Sequence, residues 1–544
     1  MSINVQKQKM RSIGTVLATV LLLAACAPPA AAPSTKPTQA APAPAPTITA
    51  AAAEPTTALA KPAEAAGKTL RIRVLSDLSN ADPAFIPASV DTIVAETVGE
   101  GLVRYKPGTW EYQNVLAESV KPSADGLRIE FKLREGVMFH GDYGEMTADD
   151  VKFSFERFKD EKLNAAYKGD WEALDKVEVT GKYSGVIVMK KPFAPLWVST
   201  LPVTSGTVIS KKAVEALGEK YPTNPVGTGP YVFESWVPKQ KITFKRNEKY
   251  WGPKPVWDAI ELIPITDESA AEIALESGAV DFSLISAPAV DRFKTKGFPT
   301  QNFQTVNYSG IFLNVLHPQL KDVRVRQAIR LAVDVPAIIA GVYDGTAGRS
   351  CALFAEGQIG YWKDAPCYER NLDGAKKLLK DAGAENTELT LTMGAGEQQK
   401  ALGEIIQANL EEIGLKIKVD QVDDSQYFSG DPAVLKGRSM TYFDWTTNNP
   451  DPYWQIVWFS CAQIDIYNWM YWCDKDFDKL NNEALLTSDA AKRTELYIKS
   501  QKLWDANANV VWTIRPTRFF AYSPKIVPAQ LPNGDLMPWL FMPK

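Results

Sequence analysis

Leu402, Ile405, Ile406, Leu410 and Ile413 recur at helical spacing, stop at Gly414, and pass at once into the alternating Leu415, Ile417 and Val419. A period near 3.6 gives way to a period of 2 across one glycine. This handover constrains the fold more than any other feature, because helices that feed directly into strands imply layered α/β domains. The same grammar recurs along the chain. Ala375, Leu378, Leu379 and Ala382 have helical spacing, and Gly383 supplies the stop. Leu127, Ile129, Phe131 and Leu133 alternate with polar residues as a half-buried strand. Val177 and Val179, then Val186 and Val188, predict a hairpin around 181–185. Thr147 reads as an N-cap, with Asp149 and Asp150 in the first turn and Val151, Phe155 and Phe158 as the apolar stripe. The strand Leu70-Arg71-Ile72-Arg73-Val74 opens the folded body, and no internal repeat is found.

A chain of 544 residues exceeds one ordinary core, so two or three domains are expected. Hydrophobic residues make up 45% and charged residues 23%, values ordinary for a soluble globular protein. The N-terminus is different. Lys7, Lys9 and Arg11 precede an apolar run over 13–25, then Cys26, then a stretch over 27–67 built almost wholly of Ala, Pro, Thr and Ser. This is the pattern of a secretory signal over 1–25. Leu23-Ala24-Ala25-Cys26 looks like the bacterial lipobox, in which the cysteine is acylated and becomes the new N-terminus. The run falls short of the ~20 apolar residues a bilayer needs, an unusually short membrane helix being the alternative. Residues 26–67 then form a lipidated tether that cannot build a core; extended like polyproline it reaches on the order of 120 Å. The protein is expected outside the cytoplasm, anchored by lipid to a membrane. Its formal net charge is −4, and the signal removes three basic residues and no acidic one. That disfavours nucleic acid as a partner, which demands a basic surface.

With Cys26 assigned to lipid, four cysteines remain as two local pairs, Cys351 with Cys367 and Cys461 with Cys473. An even count in an oxidising compartment predicts disulfides, each worth roughly 3 kcal/mol in the chain-entropy model. The alternative is four reduced, buried thiols. Zinc is disfavoured because no CxxC occurs and no histidine lies near either pair. Only His140 and His317 exist, so a Ser-His-Asp triad, a Cys-His dyad or a histidine-rich metal site would draw on two residues far apart in sequence. No HExxH, GxSxG or GxxxxGK[ST] is present, and Gly227-Thr228-Gly229 followed by Pro230 reads as a turn.

Between 99 and 157 the chain carries a series of specific words: Glu100-Gly101-Leu102-Val103-Arg104-Tyr105, Leu116-Ala117-Glu118-Ser119, Phe131-Lys132-Leu133-Arg134-Glu135-Gly136-Val137 with Phe139-His140, and Thr147-Ala148-Asp149-Asp150-Val151-Lys152-Phe153-Ser154. Later come Pro225-Val226-Gly227-Thr228-Gly229-Pro230-Tyr231, Arg246-Asn247 with Tyr250-Trp251, Ser277-Gly278-Ala279-Val280-Asp281, and Val323-Arg324-Val325-Arg326-Gln327-Ala328-Ile329 with Ala332-Val333-Asp334. In this order the chain resembles the solute-binding proteins of family 5, the peptide-binding receptors of bacterial ABC importers, over almost all of 70–520. The resemblance implies a two-lobed α/β fold of the periplasmic-binding-protein type (type II) with an extra domain. Lobe I would take 68–103, 224–308 and 512–544, the extra domain 104–223, and lobe II 309–511. It implies a monomer that closes on a ligand and is read by membrane permease subunits. It calls for no catalytic residue, metal or cofactor. His140, Gly227, Gly229 and Pro230 read as structural residues that mark the fold.

In peptide-binding relatives a lobe II segment reads roughly Gly-Trp-Thr-x-Asp-x-x-Asp-Pro, and its first aspartate holds the peptide amine. Here the segment is Asp444-Trp445-Thr446-Thr447-Asn448-Asn449-Pro450-Asp451-Pro452. The amine-binding position falls on Asn448, and an acid stands instead at Asp444. Dipeptide binders also use an arginine between a strand and the next helix; Met393-Gly394-Ala395-Gly396-Glu397-Gln398-Gln399-Lys400 has none, and Lys400 reads as solvated. Phe459-Ser460-Cys461-Ala462, Asn468 and Trp472-Cys473 match the disulfide loop of dipeptide binders. Trp445, Trp454, Trp458, Trp469 and Trp472 crowd this region, either to stack on ligand or to fill the lobe. The expected ligand-binding residues are therefore Asp444, Trp445, Thr446, Thr447, Asn448 and Asp451. The expected ligand is a longer peptide held by its backbone, or a neutral polar solute such as an oligosaccharide. Nickel is disfavoured because neither histidine lies in the matched loop. The competing function is a secreted hydrolase of peptides or glycans, for which Asp444 and Asp451 are the one carboxylate pair to consider.

Overall fold

The computed structural model describes residues 68–85, 89–429, 431–445 and 451–544. The signal-like run, Cys26 and the tether lie outside them.

Three large sheets organise the described chain. The first has seven strands in the order Tyr231–Val237, Lys241–Arg246, Ala259–Pro264, Thr69–Val74, Phe282–Ile285, Thr517–Tyr522 and Thr300–Gln304. Thr69–Val74 runs parallel to Ala259–Pro264, with Leu70 beside Ile260 and Ile72 beside Leu262. All four side chains are fully buried and share one core with Tyr231, Phe244, Phe282 and Phe520.

The second sheet has five strands in the order Lys416–Val422, Glu388–Gly394, Met440–Trp445, Tyr308–Leu313 and Val510–Trp512. The helix-to-strand handover read in the sequence builds its edge. Glu388–Gly394, the helix Glu397–Glu411 and Lys416–Val422 form a β-α-β unit with parallel strands, Leu391 beside Val419. The helix buries Leu402, Ile406 and Leu410 in the core of this sheet. Gly414 has a φ of 88°, the left-handed region that side chains resist, so the turn between helix and strand needs glycine.

The third sheet has four antiparallel strands in the order Ala117–Pro122, Arg128–Leu133, Ser184–Met189 and Leu174–Gly181. Ile129, Phe131 and Leu133 point inward while their neighbours are exposed. The predicted hairpin pairs Val177 with Ile187. The helix Ala148–Glu156 packs on this sheet. At its start the Asp150 carboxylate accepts from the Thr147 N–H at 3.0 Å and from its hydroxyl at 3.1 Å.

The chain passes between the first and second sheets twice, at 305–307 and 513–516. The crossings are tied side by side: Thr305 donates its N–H and its hydroxyl to the Pro516 carbonyl, each at 3.0 Å. Arg515 is buried there and donates to the carbonyls of Asn307 at 2.9 Å, Ala352 at 2.7 Å and Leu353 at 2.8 Å. Burial lowers its pKa to about 10. Two short adjacent connections are the kind of joint about which lobes rotate.

His140 is a structural residue. It is buried, with Nε2 2.9 Å from the Gly229 carbonyl, and burial lowers its pKa to about 4. Gly227 and Gly229 lie on the Val98 carbonyl, where a Cβ would come within 2.3 and 2.6 Å. The cysteines of both expected pairs stand in bonding position, with Cα atoms 4.9 Å apart for Cys351 and Cys367 and 4.7 Å for Cys461 and Cys473. Among the described residues no helix is long and apolar enough to cross a membrane, and no group of three or more His, Cys, Asp or Glu is placed to hold a metal ion.

Candidate functional site

The ends of the first two sheets face one cavity of about 710 Å³. Parallel strands leave their carboxyl ends open to ligand where connections diverge. Arg73 and Val74 come from that end of Thr69–Val74, and Asp444 and Trp445 from that end of Met440–Trp445. Register fixes the second pair: Trp445 lies opposite Tyr308, and Asp444 opposite Ser309. The helix Ser89–Val98 turns Thr92, Ile93 and Glu96 toward the cavity, a single helical face. A third wall comes from the segment that carries the four-stranded sheet, through Asp170, Ser199, Thr204 and Ser205. That segment also touches the chain that follows the second-sheet strand Met440–Trp445. Ala194 N–H donates to the Leu485 carbonyl at 2.9 Å, and the Phe193 ring meets Tyr453 edge-on at 5.8 Å.

Aromatic rings pave the second-sheet wall. Trp445 is stacked on Phe459 with centroids 5.8 Å apart and planes 6° apart, and Trp469 meets it edge-on at 5.4 Å. Trp458 meets Tyr467 edge-on at 4.6 Å. Phe428 is exposed at the rim.

Among the described residues, four carboxyl groups and two guanidiniums line the cavity. Both guanidiniums are already engaged. Arg73 donates to the carbonyls of Ile265 at 2.7 Å and Thr266 at 3.4 Å, and Arg518 pairs with Asp535 at 2.9 Å. The other three carboxyls each take a hydrogen bond from a hydroxyl. Glu96 accepts from Thr204 at 2.8 Å, Asp170 from Ser205 at 3.0 Å and Asp444 from Ser309 at 3.0 Å. Burial raises the pKa of all three, that of Asp170 to about 7. Asp444 keeps exposed surface, yet desolvation by its surroundings still outweighs the Ser309 hydrogen bond and sets the direction of its shift.

Residues 111–465 match the family described as bacterial extracellular solute-binding proteins, family 5, middle. The chain is 32% identical over 460 residues to di/tripeptide-binding protein 1 of Pseudomonas aeruginosa, covering 78% of this chain and 84% of that protein. It is 30% identical over 433 residues to the dipeptide-binding protein of Escherichia coli, covering 74% and 80%. Among solved structures it is similar to the ABC transporter-associated periplasmic binding protein DppA of Helicobacter pylori in complex with the peptide STSA, at 27% identity and a TM-score of 0.72, covering 85% of this chain and 95% of that one. The chain belongs to the bacterial extracellular solute-binding proteins, family 5.

As a family 5 protein it is a two-lobed α/β solute-binding protein of the ABC-importer class, working outside the cytoplasm, and not an enzyme. The hydrolase reading is set aside.

Of the six expected ligand residues, Asp444 and Trp445 line the family 5 cavity. Thr446, Thr447 and Asn448 lie outside the described residues. Asp451 is not in the cavity wall. It is fully buried and paired with Arg493, whose Nη2 lies 3.1 and 3.0 Å from its two oxygens. Three of the five tryptophans, Trp445, Trp454 and Trp458, reach the cavity, while Trp469 and Trp472 are core residues. Lys400 is exposed on its helix. Asn468 holds the Cys461–Cys473 loop by donating to the carbonyls of Phe459, Ser460 and Trp472.

Glu96 and Asp170 were not anticipated. Glu96 stands on the cavity face of an otherwise largely apolar helix, a signal that periodicity could have raised. Asp170 sits in the short turn Lys168–Trp171, where no period marks it.

Proposed function

We propose that the protein captures short peptides between its two lobes and delivers them to the permease of an ABC importer. The observation that carries this is the cavity of about 710 Å³ with Asp444 and Trp445 set into its second-sheet wall. Its size falls within the ~300–1,000 Å³ of small-ligand sites. Closure would follow from ligand touching both lobes, since only a difference in contact energy between open and closed forms moves such an equilibrium.

Asp444 takes the peptide amine in this reading, four residues before the position where relatives carry their aspartate. Trp445 packs on a ligand side chain, and Thr446, Thr447 and Asn448 hold backbone. The membership of the three sheets supports a division into lobe I (68–103, 224–308, 512–544), an extra domain (104–223) and lobe II (309–511). The chain acts as a monomer, cleaved after residue 25 and anchored through acylated Cys26.

Thermal shift and calorimetry on ligand-stripped protein test the ligand class. Peptides of two to about five residues should raise Tm without turnover, and oligosaccharides should not. A sugar-only response, or a hydrolysed product, overturns the proposal. For the anchor, Cys26→Ser should shift the protein from the membrane to the soluble fraction; unchanged fractionation removes the lipid from the account.

A further inference from the structure

The amine on Asp444 leaves two cavity carboxyls unexplained. Glu96 comes from the helix Ser89–Val98 of the first lobe, and Asp170 from the turn Lys168–Trp171 of the extra domain. Each is hydrogen-bonded by the same short element. The turn Thr204–Gly206 offers two successive hydroxyls, and Thr204 binds Glu96 while Ser205 binds Asp170. Both carboxyls line the cavity.

Asp170 is the more telling of the two. It is 3% exposed, and its Oδ2 takes the Ser205 hydroxyl. The Trp454 side chain approaches the same carboxyl from the opposite lobe. Beyond that approach of Trp454, the Asp170 Oδ1 has no hydrogen-bond partner among the described residues. A buried acceptor left open toward a cavity is costly unless something in that cavity donates to it. The cations close by direct their hydrogen bonds elsewhere, although the charge of Arg104 favours ionised Glu96. Arg104 donates to the carbonyls of Glu96 and Gly99, and Arg518 to Asp535. Tyr167 and Trp454 also line the cavity.

We propose that Glu96 and Asp170, gathered on the turn Thr204–Gly206, form a subsite for a cationic side chain, so that the preferred ligands are basic peptides. The inference rests on the peptide reading above. One charge of the ligand meets Asp444, and a lysine or arginine side chain reaches across to the Glu96–Asp170 pair. Such a ligand supplies donors to Asp170 Oδ1 and favours the ionised form of both carboxyls. A neutral or acidic side chain does neither.

The test compares Ala-Lys-Ala, Ala-norleucine-Ala and Ala-Glu-Ala by calorimetry on ligand-stripped full-length protein, with cadaverine as a probe that carries no peptide bond. Lysine and norleucine differ chiefly in charge, so the lysine peptide should bind about tenfold tighter or more. The Glu96→Gln/Asp170→Asn variant should bring the two to within about twofold of each other. Should that variant not fold, the wild-type series alone decides. Peptide binding with no lysine preference, or with the glutamyl peptide tightest, overturns the subsite and leaves the peptide reading intact. Cadaverine binding weakened by either single substitution, with no peptide bound, supports the subsite and overturns the peptide reading. No binding of any probe overturns both.

Discussion

Asp451 and Asp170 are both almost completely removed from solvent, at 0% and 3% exposure, and they are treated in opposite ways. Asp451 lies in the core with the Arg493 guanidinium bonded to both its oxygens, and Tyr453 N–H adds a further bond at 2.9 Å. Asp170 has a hydroxyl at 3.0 Å and no cation in hydrogen-bonding contact. Burial of a charge is tolerable only when it is paired or when the group stays neutral. The first carboxylate is therefore finished within the protein and serves the fold. The second is unfinished, and it faces the cavity. Compensation separates scaffold from site here, and burial alone does not.

Removing one half of the finished pair should produce the largest effect. Asp451→Ala strands the Arg493 guanidinium in the core with the Ala484 carbonyl at 3.0 Å and the Tyr497 hydroxyl at 3.3 Å. The expected loss is about 3–5 kcal/mol of unfolding free energy in urea or guanidinium titration. A loss under ~1 kcal/mol would mean that Asp451 is not the structural partner described here.

Next in size is the Cys461–Cys473 loop, which frames the same lobe beneath Trp445. Replacing both cysteines by serine should cost about 3 kcal/mol, the chain-entropy value for a short loop. The structural contrast predicts that peptide affinity, measured under conditions where the variant stays folded, moves far less than stability. An equal fall in both would place this loop in the site.

Asp170→Asn should act in the opposite sense to Asp451→Ala and stabilise the unliganded protein. The sign follows from linkage. The folded pKa of Asp170 is raised to about 7, above its unfolded value near 3.8. Its contribution is fully present below the unfolded value and is lost as pH rises through about 7. The gap sets an upper limit on the order of 4 kcal/mol, and solvent reaching the cavity reduces the expected gain of the asparagine variant to about 2 kcal/mol at pH 7.5. At pH 4 the two proteins should match. His140 works the other way, its folded pKa of about 4 costing stability as pH falls below 6.5. It is present in both proteins and cancels in the difference. A variant less stable than wild type at pH 7.5 would show that Asp170 is a structural anchor like Asp451.

The layers of this molecule were legible because they are periodic. Arg128–Leu133 buries alternate residues as its pattern predicts, and the stop at Gly414 marks the turn between helix and strand. Asp444 and Trp445, which line the cavity, are singled out in the sequence only through the resemblance of one segment to a family. The same segment offers Asp451, which is buried outside the cavity wall; in sequence an acid in a ligand loop and an acid in a core look alike. What separates them is Arg493, 42 residues downstream. Glu96 and Asp170 converge through Thr204 and Ser205, from three stretches that share no spacing. A site made by convergence leaves no period in the chain.

The smallest effect sharpens the comparison at its boundary. Arg518 and Asp535 form an ion pair at the cavity, with side chains 31% and 29% exposed, so solvent screens it heavily. Arg518→Gln should change stability by no more than ~1 kcal/mol. It should nevertheless move affinity. The substitution removes one of two cavity cations and releases Asp535, whose charge already opposes ionisation of Glu96. The cavity becomes more acidic and Ala-Lys-Ala should bind a few-fold tighter at low salt, whereas Ala-Glu-Ala should weaken. Added salt should erase both changes, because a partly solvated charge acts over about a Debye length of 10 Å at 0.1 M. Tightening that persists at high salt would point to a contact made by the new glutamine. Weaker binding of the lysine peptide would mean that Arg518 holds the ligand directly, and the division between finished and unfinished charges would have to be redrawn to place it on the ligand's side.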